Sequence, residues 1–236
     1  MKFSFVIPAY NEEGYLDGCI ESIKAQNAGR YEIIVCYSPS SDRTLEIAKR
    51  HGVKIVTIPK SCPGKARNAG ARAATGEYLV FLDADVQIPG NFLRSTIKHV
   101  RRGCVAVGYR SEWRDGDGLL DIFNEVVTNP FSKYAKVLFV CCTIKKSAFE
   151  KTGGYDENIT ANEEWGLSKR LKSLGRIVFD ENAPIKSSAR RFHKLGKLRT
   201  FAVYSSWFLM GHVLGRDVRY FHLSDMDRRA DVSHEA

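Results

Sequence analysis

Two aspartates one residue apart, Asp83 and Asp85, have the types and spacing that most clearly suggest chemistry in this sequence. They follow Tyr78–Leu82, an apolar run typical of a strand buried on both faces of a parallel sheet. Ligands of open α/β sheets bind at the carboxyl ends of the strands. Two close carboxylates repel each other unless a cation lies between them, and their oxygens suit Mg²⁺ or Mn²⁺. We therefore predict a hard-cation site for a polyphosphate; the alternative is a loop in which Asp merely ends the strand.

The elements around this pair predict a parallel sheet. Strand patterns at 2–7, 31–36 and 53–58 alternate with helical patterns before the strand that ends at Leu82, and the first helix is predicted to begin at Asn11. Such alternation requires right-handed crossovers between parallel strands. Further strands are predicted at 104–109, 137–144 and 176–179, and the polar residues 110–118 are predicted to form a mobile loop.

Length and composition limit the possible functions. The 236 residues, of which 44% are hydrophobic, are enough for one large domain or two fused halves. The six cysteines include no Cys-x-x-Cys pair, so we expect reduced thiols. The net charge of +9 admits nucleic acid, an anionic membrane or a phosphorylated substrate as partner. We find no signal peptide and no membrane-spanning run, and we expect a cytoplasmic protein.

Five short motifs occur in a characteristic order. They are VIPAYNEE at 6–13, GKARNAG at 64–70, FLDAD at 81–85, GGYDE at 153–157 and NEEW at 162–165. Together they resemble family 2 glycosyltransferases over residues 2–176. The resemblance implies a GT-A type α/β fold: a Rossmann-like, mainly parallel sheet flanked by helices, in a single domain of two fused halves. From the change of pattern near residue 110 we predict a nucleotide-sugar-binding half at 1–110 and an acceptor-binding and catalytic half at 111–194, followed by a basic and apolar helical tail at 195–236.

The resemblance also assigns roles in binding a nucleoside diphosphate sugar, linked to UDP or GDP, with Mn²⁺ or Mg²⁺. Asp85 is expected to hold the metal, and Asp83 to lie nearer the ribose and metal-bound water. Lys65 and Arg67 are expected to reach the nucleotide, as cationic side chains suited to phosphate or base edges. The remaining expected nucleotide-sugar contacts are Pro8, Ala9, Tyr10, Glu12 and Ala84.

Glu163 and Glu164 correspond to the acidic pair that supplies the catalytic base in inverting relatives. We predict Glu164 as the base that deprotonates the acceptor hydroxyl. The alternative is that one or both merely stabilise the first turn of a helix.

The sequence departs from the family at the end of the second strand, where Tyr37 replaces the first acid and only Asp42 remains. Tyr37 is predicted either to stack on a base or to mark a degraded pocket. The stretch 190–193 is a candidate to return to the diphosphate, and His193 is a candidate further metal ligand, although a lone His is more often a surface residue.

The sequence therefore predicts an inverting, non-processive glycosyltransferase with a saccharide or lipid-linked acceptor. The alternatives are a dolichyl-phosphate-sugar synthase type of transfer and a nucleotide-binding module without turnover. Nucleic-acid binding is disfavoured because the sequence has no recognition motif of nucleic-acid-binding proteins to accompany its positive net charge. The apolar stretch 201–214, flanked by basic residues, predicts either peripheral contact with an anionic membrane or a helix packed on the domain.

Overall fold

The computed structural model describes residues 1–59, 63–158, 163–197 and 199–202, and it places one mixed sheet between helices. The strands are β1 (Lys2–Ala9), β2 (Arg30–Tyr37), β3 (Lys54–Thr57), β4 (Tyr78–Leu82), β5 (Val86–Gln87), β6 (Ala106–Trp113), β7 (Cys141–Lys145) and β8 (Ile177–Ser187). The helices are α1 (Leu16–Lys24), α2 (Thr44–Arg50), α3 (Pro63–Ala73), α4 (Phe92–Arg101), α5 (Gly118–Phe123), α6 (Asn129–Ala135), α7 (Lys146–Lys151), α8 (Glu163–Lys172) and α9 (Arg190–Leu195). A π-helical turn, Asn124–Thr128, joins α5 to α6.

The strand order is β3-β2-β1-β4-β7-β6-β8-β5. The first four strands in this order are parallel, as the alternating pattern predicted. The second half adds β7, which runs antiparallel to both β4 and β6, while β6 and β8 are parallel. Because β7 pairs directly with β4, both halves contribute to one sheet and their loops meet beside the end of β4.

The strands next to this junction are buried on both faces. All five residues of β4 are buried, and β1 alternates Phe3, Phe5 and Ile7 into one core with Val6 into the other. This is the period-2 pattern of a strand covered on both sides. One core lies between the sheet and helices α1 and α4, and the other lies between the sheet and helices α3 and α8. Packing on both faces therefore fixes the position at which β4 ends and Asp83 follows.

Several sequence-based boundaries are wrong. The first helix begins at Leu16 rather than Asn11, because Asn11 adopts a left-handed backbone (φ 54°) and its Oδ1 accepts a hydrogen bond from Ser41 N at 3.0 Å. The predicted mobile loop at 110–118 is also wrong for its first part. After a register shift between Tyr109 and Ser111, β6 continues to Trp113 by pairing with β8.

The last strands were also misjudged. β7 begins at Cys141 rather than at 137, since Val140 has a φ of 58° that interrupts an extended chain. β8 extends to Ser187, well beyond the predicted 179. The proposed boundary at residue 110 falls inside β6, and the division into functional halves stays a prediction.

Two compositional expectations concern cysteines and membranes. The five described cysteines are buried and free, and burial raises the pKa of the Cys36 and Cys142 thiols to about 12. Cys62 lies outside the described residues, as does the stretch 201–214 apart from its first two residues. Among the residues that the structure describes, no helix has the length and apolar character needed to cross a bilayer.

The contact of α3 with the sheet gives a stability prediction. A Cβ at Gly70 would lie 2.3 Å from Val6 Cγ1 and 2.6 Å from Cys36 Sγ, both on buried strands. Gly70→Ala should therefore lower the free energy of unfolding by about 1–3 kcal/mol, the usual cost of overpacking. Urea denaturation measures the loss. Gly90→Ala is the control because its Cβ would meet nothing within 4 Å; equal stability of both variants would contradict the packing described here.

Candidate active site

A tight turn at the end of β4 presents the two aspartates. Val86 N donates to Asp83 O at 3.1 Å, and β5 then pairs antiparallel with β8. Both ends of the turn are thereby fixed to the sheet. Ala84, between the aspartates, is only 3% exposed and packs in the core. The contact of Ala84 with the nucleotide sugar stays a prediction, and the residue offers almost no surface for it.

Arg67 joins the turn to the second half of the chain. Its Nη2 lies 2.7 Å from Asp83 Oδ1, and its Nη1 lies 2.6 Å from Glu163 Oε1 and 3.5 Å from Glu164 Oε1. The Arg67 side chain is 6% exposed, so these contacts form away from bulk water. We expected Arg67 to reach the nucleotide. In the structure its guanidinium contacts three carboxylates, one in the aspartate turn and two on α8.

The scaffold around Arg67 explains this convergence. Asn68, the next residue of α3, holds the 153–157 loop because its side chain bonds both Tyr155 O (2.8 Å) and Tyr155 N (2.9 Å). The Arg67 guanidinium lies over the Tyr155 ring, 5.3 Å from its centroid. The described chain resumes at Glu163, the first residue of α8, so the acidic pair occupies a helix N-terminus that favours negative charge.

The electrostatic state of the two glutamates differs. Burial and the neighbouring Glu163 raise the pKa of Glu164 to about 8, and Arg67 offsets only part of this rise. Glu163 makes the shorter contact with Arg67 and is more buried than Glu164. Glu163 is thus committed to Arg67, whereas Glu164 is the carboxylate better placed to exchange a proton near neutral pH.

A second ion cluster lies on the other side of the aspartate turn. Arg190, at the start of α9, bonds both carboxylate oxygens of Glu12 at 2.7 Å, and its Nε lies 3.2 Å from Asp85 Oδ2. The Arg190 guanidinium also lies 4.6 Å from the Tyr15 ring centroid. Burial raises the pKa of Asp85 and of Glu12, and Arg190 opposes both rises. The sequence had indicated that 190–193 returns to the site but had not indicated Arg190 as the partner of Glu12.

The first loop is tied to the second by side chains that sequence reasoning only partly identified. Asp42 Oδ2 accepts from Glu13 N at 2.9 Å, and Thr44 Oγ1 accepts from Glu12 N at 2.8 Å. The one acid that remains from the family pattern at this place therefore positions Glu12. Tyr37 is 8% exposed, packs in the core and accepts a hydrogen bond from Ser40 N. Its ring therefore has little free surface on which a nucleotide base could stack.

The remaining predicted site residues vary in accessibility. Pro8 is half-buried and Ala9 is buried at the end of β1, while Tyr10 and Lys65 are exposed. His193 Nε2 lies 2.8 Å from the backbone oxygen of Asp115, so this nitrogen already has a hydrogen-bond partner. The metal-ligand role of His193 stays a prediction that this contact does not favour.

The donor set suits a hard divalent cation. Five carboxylates (Asp83, Asp85, Glu12, Glu163 and Glu164) face two guanidinium groups, and burial disfavours the charge of Asp85. Within the described ranges no cluster of three or more His, Cys, Asp or Glu side chains is arranged to hold a metal. Asp85 and Asp83 could therefore hold an ion whose other ligands come from a phosphate and water.

The sheet order and the acidic turn after β4 define the class of protein. Solved structures that share the fold include *S. aureus* TarS residues 1–349 in complex with UDP, with a TM-score of 0.68 and 20% identity over 80% of this chain and 61% of that chain. The mannosyltransferase PcManGT from *Pyrobaculum calidifontis*, in complex with GDP-Man and Mn²⁺, has a TM-score of 0.66 and 20% identity over 79% and 56% of the chains. These likenesses confirm the GT-A fold.

The sequence comparison gives the family. The profile described as Glycosyl transferase family 2 matches residues 4–153, which is more than half of the chain. The chain belongs to this family, as its motifs predicted. Among curated relatives, the putative glycosyltransferase EpsH of *Bacillus subtilis* is 28% identical over 145 residues, covering 58% of this chain and 42% of that protein. The aligned part of the chain thus spans less than half the length of this relative.

The Arg67 cluster gives a stability prediction. Arg67→Met leaves the buried carboxylate of Glu163, and the partly exposed ones of Glu164 and Asp83, without their common cation. Removing one partner of a buried pair such as Arg67–Glu163 costs about 3–5 kcal/mol. We expect a loss of this size in urea denaturation at neutral pH. The double variant with Glu163→Gln should lose less than the sum of the single variants, because one unpaired carboxylate is gone. Strictly additive losses would show that the two residues do not interact.

Proposed function

We propose that this chain transfers a sugar from a nucleoside diphosphate donor, linked to UDP or GDP, to an acceptor hydroxyl with inversion. One observation carries the proposal. The aspartate turn after β4 and the glutamate pair of α8 meet on a single guanidinium, Arg67, so a donor site and a base lie side by side. The complexes of TarS with UDP and of PcManGT with GDP-Man and Mn²⁺ support a nucleotide site on this fold.

The donor diphosphate is proposed to lie beside the turn. Asp85 and Asp83 would hold Mn²⁺ or Mg²⁺, which when bound offsets the negative charge that develops on the diphosphate leaving group. Arg190 is close enough to Asp85 to add a guanidinium at the same place. Glu12, held by Arg190 and by its backbone bond to Thr44, would orient the nucleoside side of the donor.

Glu164 is proposed as the general base. An inverting transfer needs a carboxylate that removes the acceptor proton as the anomeric carbon is attacked from the face opposite the diphosphate. The raised pKa of Glu164 suits that task, because a base whose pKa lies near the working pH accepts the proton more readily. This observation favours a hydroxyl acceptor over a lipid phosphate, which is already an anion and needs little base catalysis.

The metal site can be tested by nucleotide binding. Wild-type protein should be stabilised by UDP or GDP only when Mn²⁺ is present, by about 2.7 kcal/mol at 100 times the dissociation constant. Asp85→Asn should lose this metal-dependent stabilisation while retaining its fold. Thermal denaturation with each nucleotide measures the effect, and Asp121→Asn is an exposed control outside the site. Unchanged Mn²⁺ dependence in Asp85→Asn would refute the assignment.

The base can be tested by substitution. Glu164→Gln keeps the shape of the side chain but cannot accept a proton, so the transfer rate should fall by about 10²–10⁴-fold. Nucleotide binding should survive. Glu163→Gln is the matched control, with a much smaller expected loss. Equal small losses would exclude Glu164 as the base, and no transfer by wild-type protein to any acceptor in a saccharide screen would favour a binding module.

The pH dependence follows from the same pKa. Glu164 must be ionised to act, so kcat/KM should rise about tenfold per pH unit below about pH 8 and level off above it. Because Glu163 raises the pKa of Glu164, Glu163→Gln should move this rise to lower pH. Rate profiles of both proteins measure the shift. A profile of Glu163→Gln displaced to higher pH would contradict the described electrostatics.

A further inference from the structure

The exposed apolar side chains of this protein are concentrated on one surface. Of the eight large apolar side chains that are exposed in the described part of the chain, five lie between residues 119 and 134. They are Leu119 (57% exposed), Ile122 (63%), Val126 (69%), Val127 (46%) and Tyr134 (80%). Monomeric soluble domains rarely group such residues, and a contiguous patch of them indicates an interaction site.

These residues share a helical face. Leu119, Ile122 and Val126 have the i, i+3, i+7 spacing that places side chains on one side of a helix, here α5 and the π-helical turn. The acidic residues of this segment lie to the side, since Asp121 is rotated by about 100° from Ile122. Glu125 is paired with Arg110 at 2.6 Å. We call the surface formed by Leu119, Ile122 and Val126 the α5 face.

A strongly basic segment is packed against α5. The stretch 190–202 contains five Lys or Arg residues and no Asp or Glu. It is joined to α5 by aromatic contacts, with the Phe201 ring 4.4 Å from Phe123 and 5.3 Å from Phe192 between centroids. Lys197 also bonds Asp117, the residue that caps α5. Lys194 and Arg199 are exposed, so the segment packed against α5 carries positive charge open to solvent.

We propose that the α5 face and the basic segment 190–202 together dock on an anionic phospholipid bilayer. The apolar side chains would enter the interface while Lys194 and Arg199 contact the headgroups, which is the arrangement of interfacial helices. A purely apolar partner surface would cover the α5 face but would leave the adjacent positive charge unmatched. An anionic bilayer satisfies both features.

Docking would place the active site at the membrane. Arg190 belongs to the basic segment and contacts Asp85, and Arg114, just before α5, lies over the same Tyr15 ring as Arg190. The surface proposed to dock on the bilayer is therefore connected to the aspartate turn through a single side chain, that of Arg190. The proposal does not depend on sugar transfer, and it adds a partner rather than a substrate.

The test is sedimentation of the full chain with vesicles of phosphatidylcholine, with or without phosphatidylglycerol. We expect binding to the anionic vesicles. Ile122→Asp and Val126→Asp should each lower the partition coefficient about tenfold or more, since burial of one such side chain contributes at least that factor. Lys194→Glu and Arg199→Glu should each lower it about fivefold or more, the effect of one cation at an anionic surface.

Matched controls separate the surface from general effects. Leu174→Asp changes an exposed leucine outside the α5 face, and Lys49→Glu changes an exposed lysine on α2; both should bind as wild-type protein does. Asp85→Asn should also bind normally, so failure of the docking proposal and failure of the proposed transfer are distinguishable.

Four results would overturn the proposal. The first is no binding to any vesicle, and the second is equal loss of binding in Leu174→Asp and Ile122→Asp. The third is a dimer by analytical ultracentrifugation that Ile122→Asp converts to monomers, which would assign the face to a second copy. A large drop in thermal stability of Ile122→Asp without vesicles would likewise assign it to the chain itself.

Discussion

The arrangement of the site depends on one buried guanidinium that three carboxylates share. Arg67 contacts Asp83 of the aspartate turn and Glu163 and Glu164 of α8, and its own side chain has little access to water. A buried cation with several carboxylates is costly to leave unpaired, so each of these elements is held in position by the others. Burial and the neighbouring Glu163 raise the pKa of Glu164 to about 8, and Arg67, which is shared with two other carboxylates, offsets only part of this rise.

The fold provides this meeting point through the position of β7. Because β7 pairs antiparallel with β4, the second half of the chain continues the sheet of the first rather than forming a separate layer. Asn68 then fixes the 153–157 loop to α3, next to Arg67. On the opposite side of the turn, Arg190 joins Glu12 and Asp85. Two arginines distant in sequence therefore bracket the aspartate turn.

The sequence predicted the parallel half of the fold well, because strands buried on both faces have an unambiguous apolar pattern. It also predicted the aspartate turn and the glutamate pair, whose types and order are informative. The sequence-based boundaries were wrong where the backbone geometry determines them. Asn11 and Val140 adopt left-handed conformations that the pattern does not reveal, and β6 continues through polar residues because they pair with β8. The contacts of Arg67 with three carboxylates were not predicted, for another reason. A cationic residue on a helix gives no sign of whether its partner is a ligand or a carboxylate far along the chain.

The central claim is that the aspartate turn binds a divalent cation together with a nucleoside diphosphate. Electron paramagnetic resonance of Mn²⁺ tests it most directly, because the signal of free Mn²⁺ disappears on binding. Because Asp83 and Asp85 are the proposed protein ligands and the other ligands are proposed to come from the diphosphate and water, we expect weak binding of Mn²⁺ alone and tight binding of one ion per chain with UDP or GDP. Mn²⁺ binding that no nucleoside diphosphate strengthens would contradict the account.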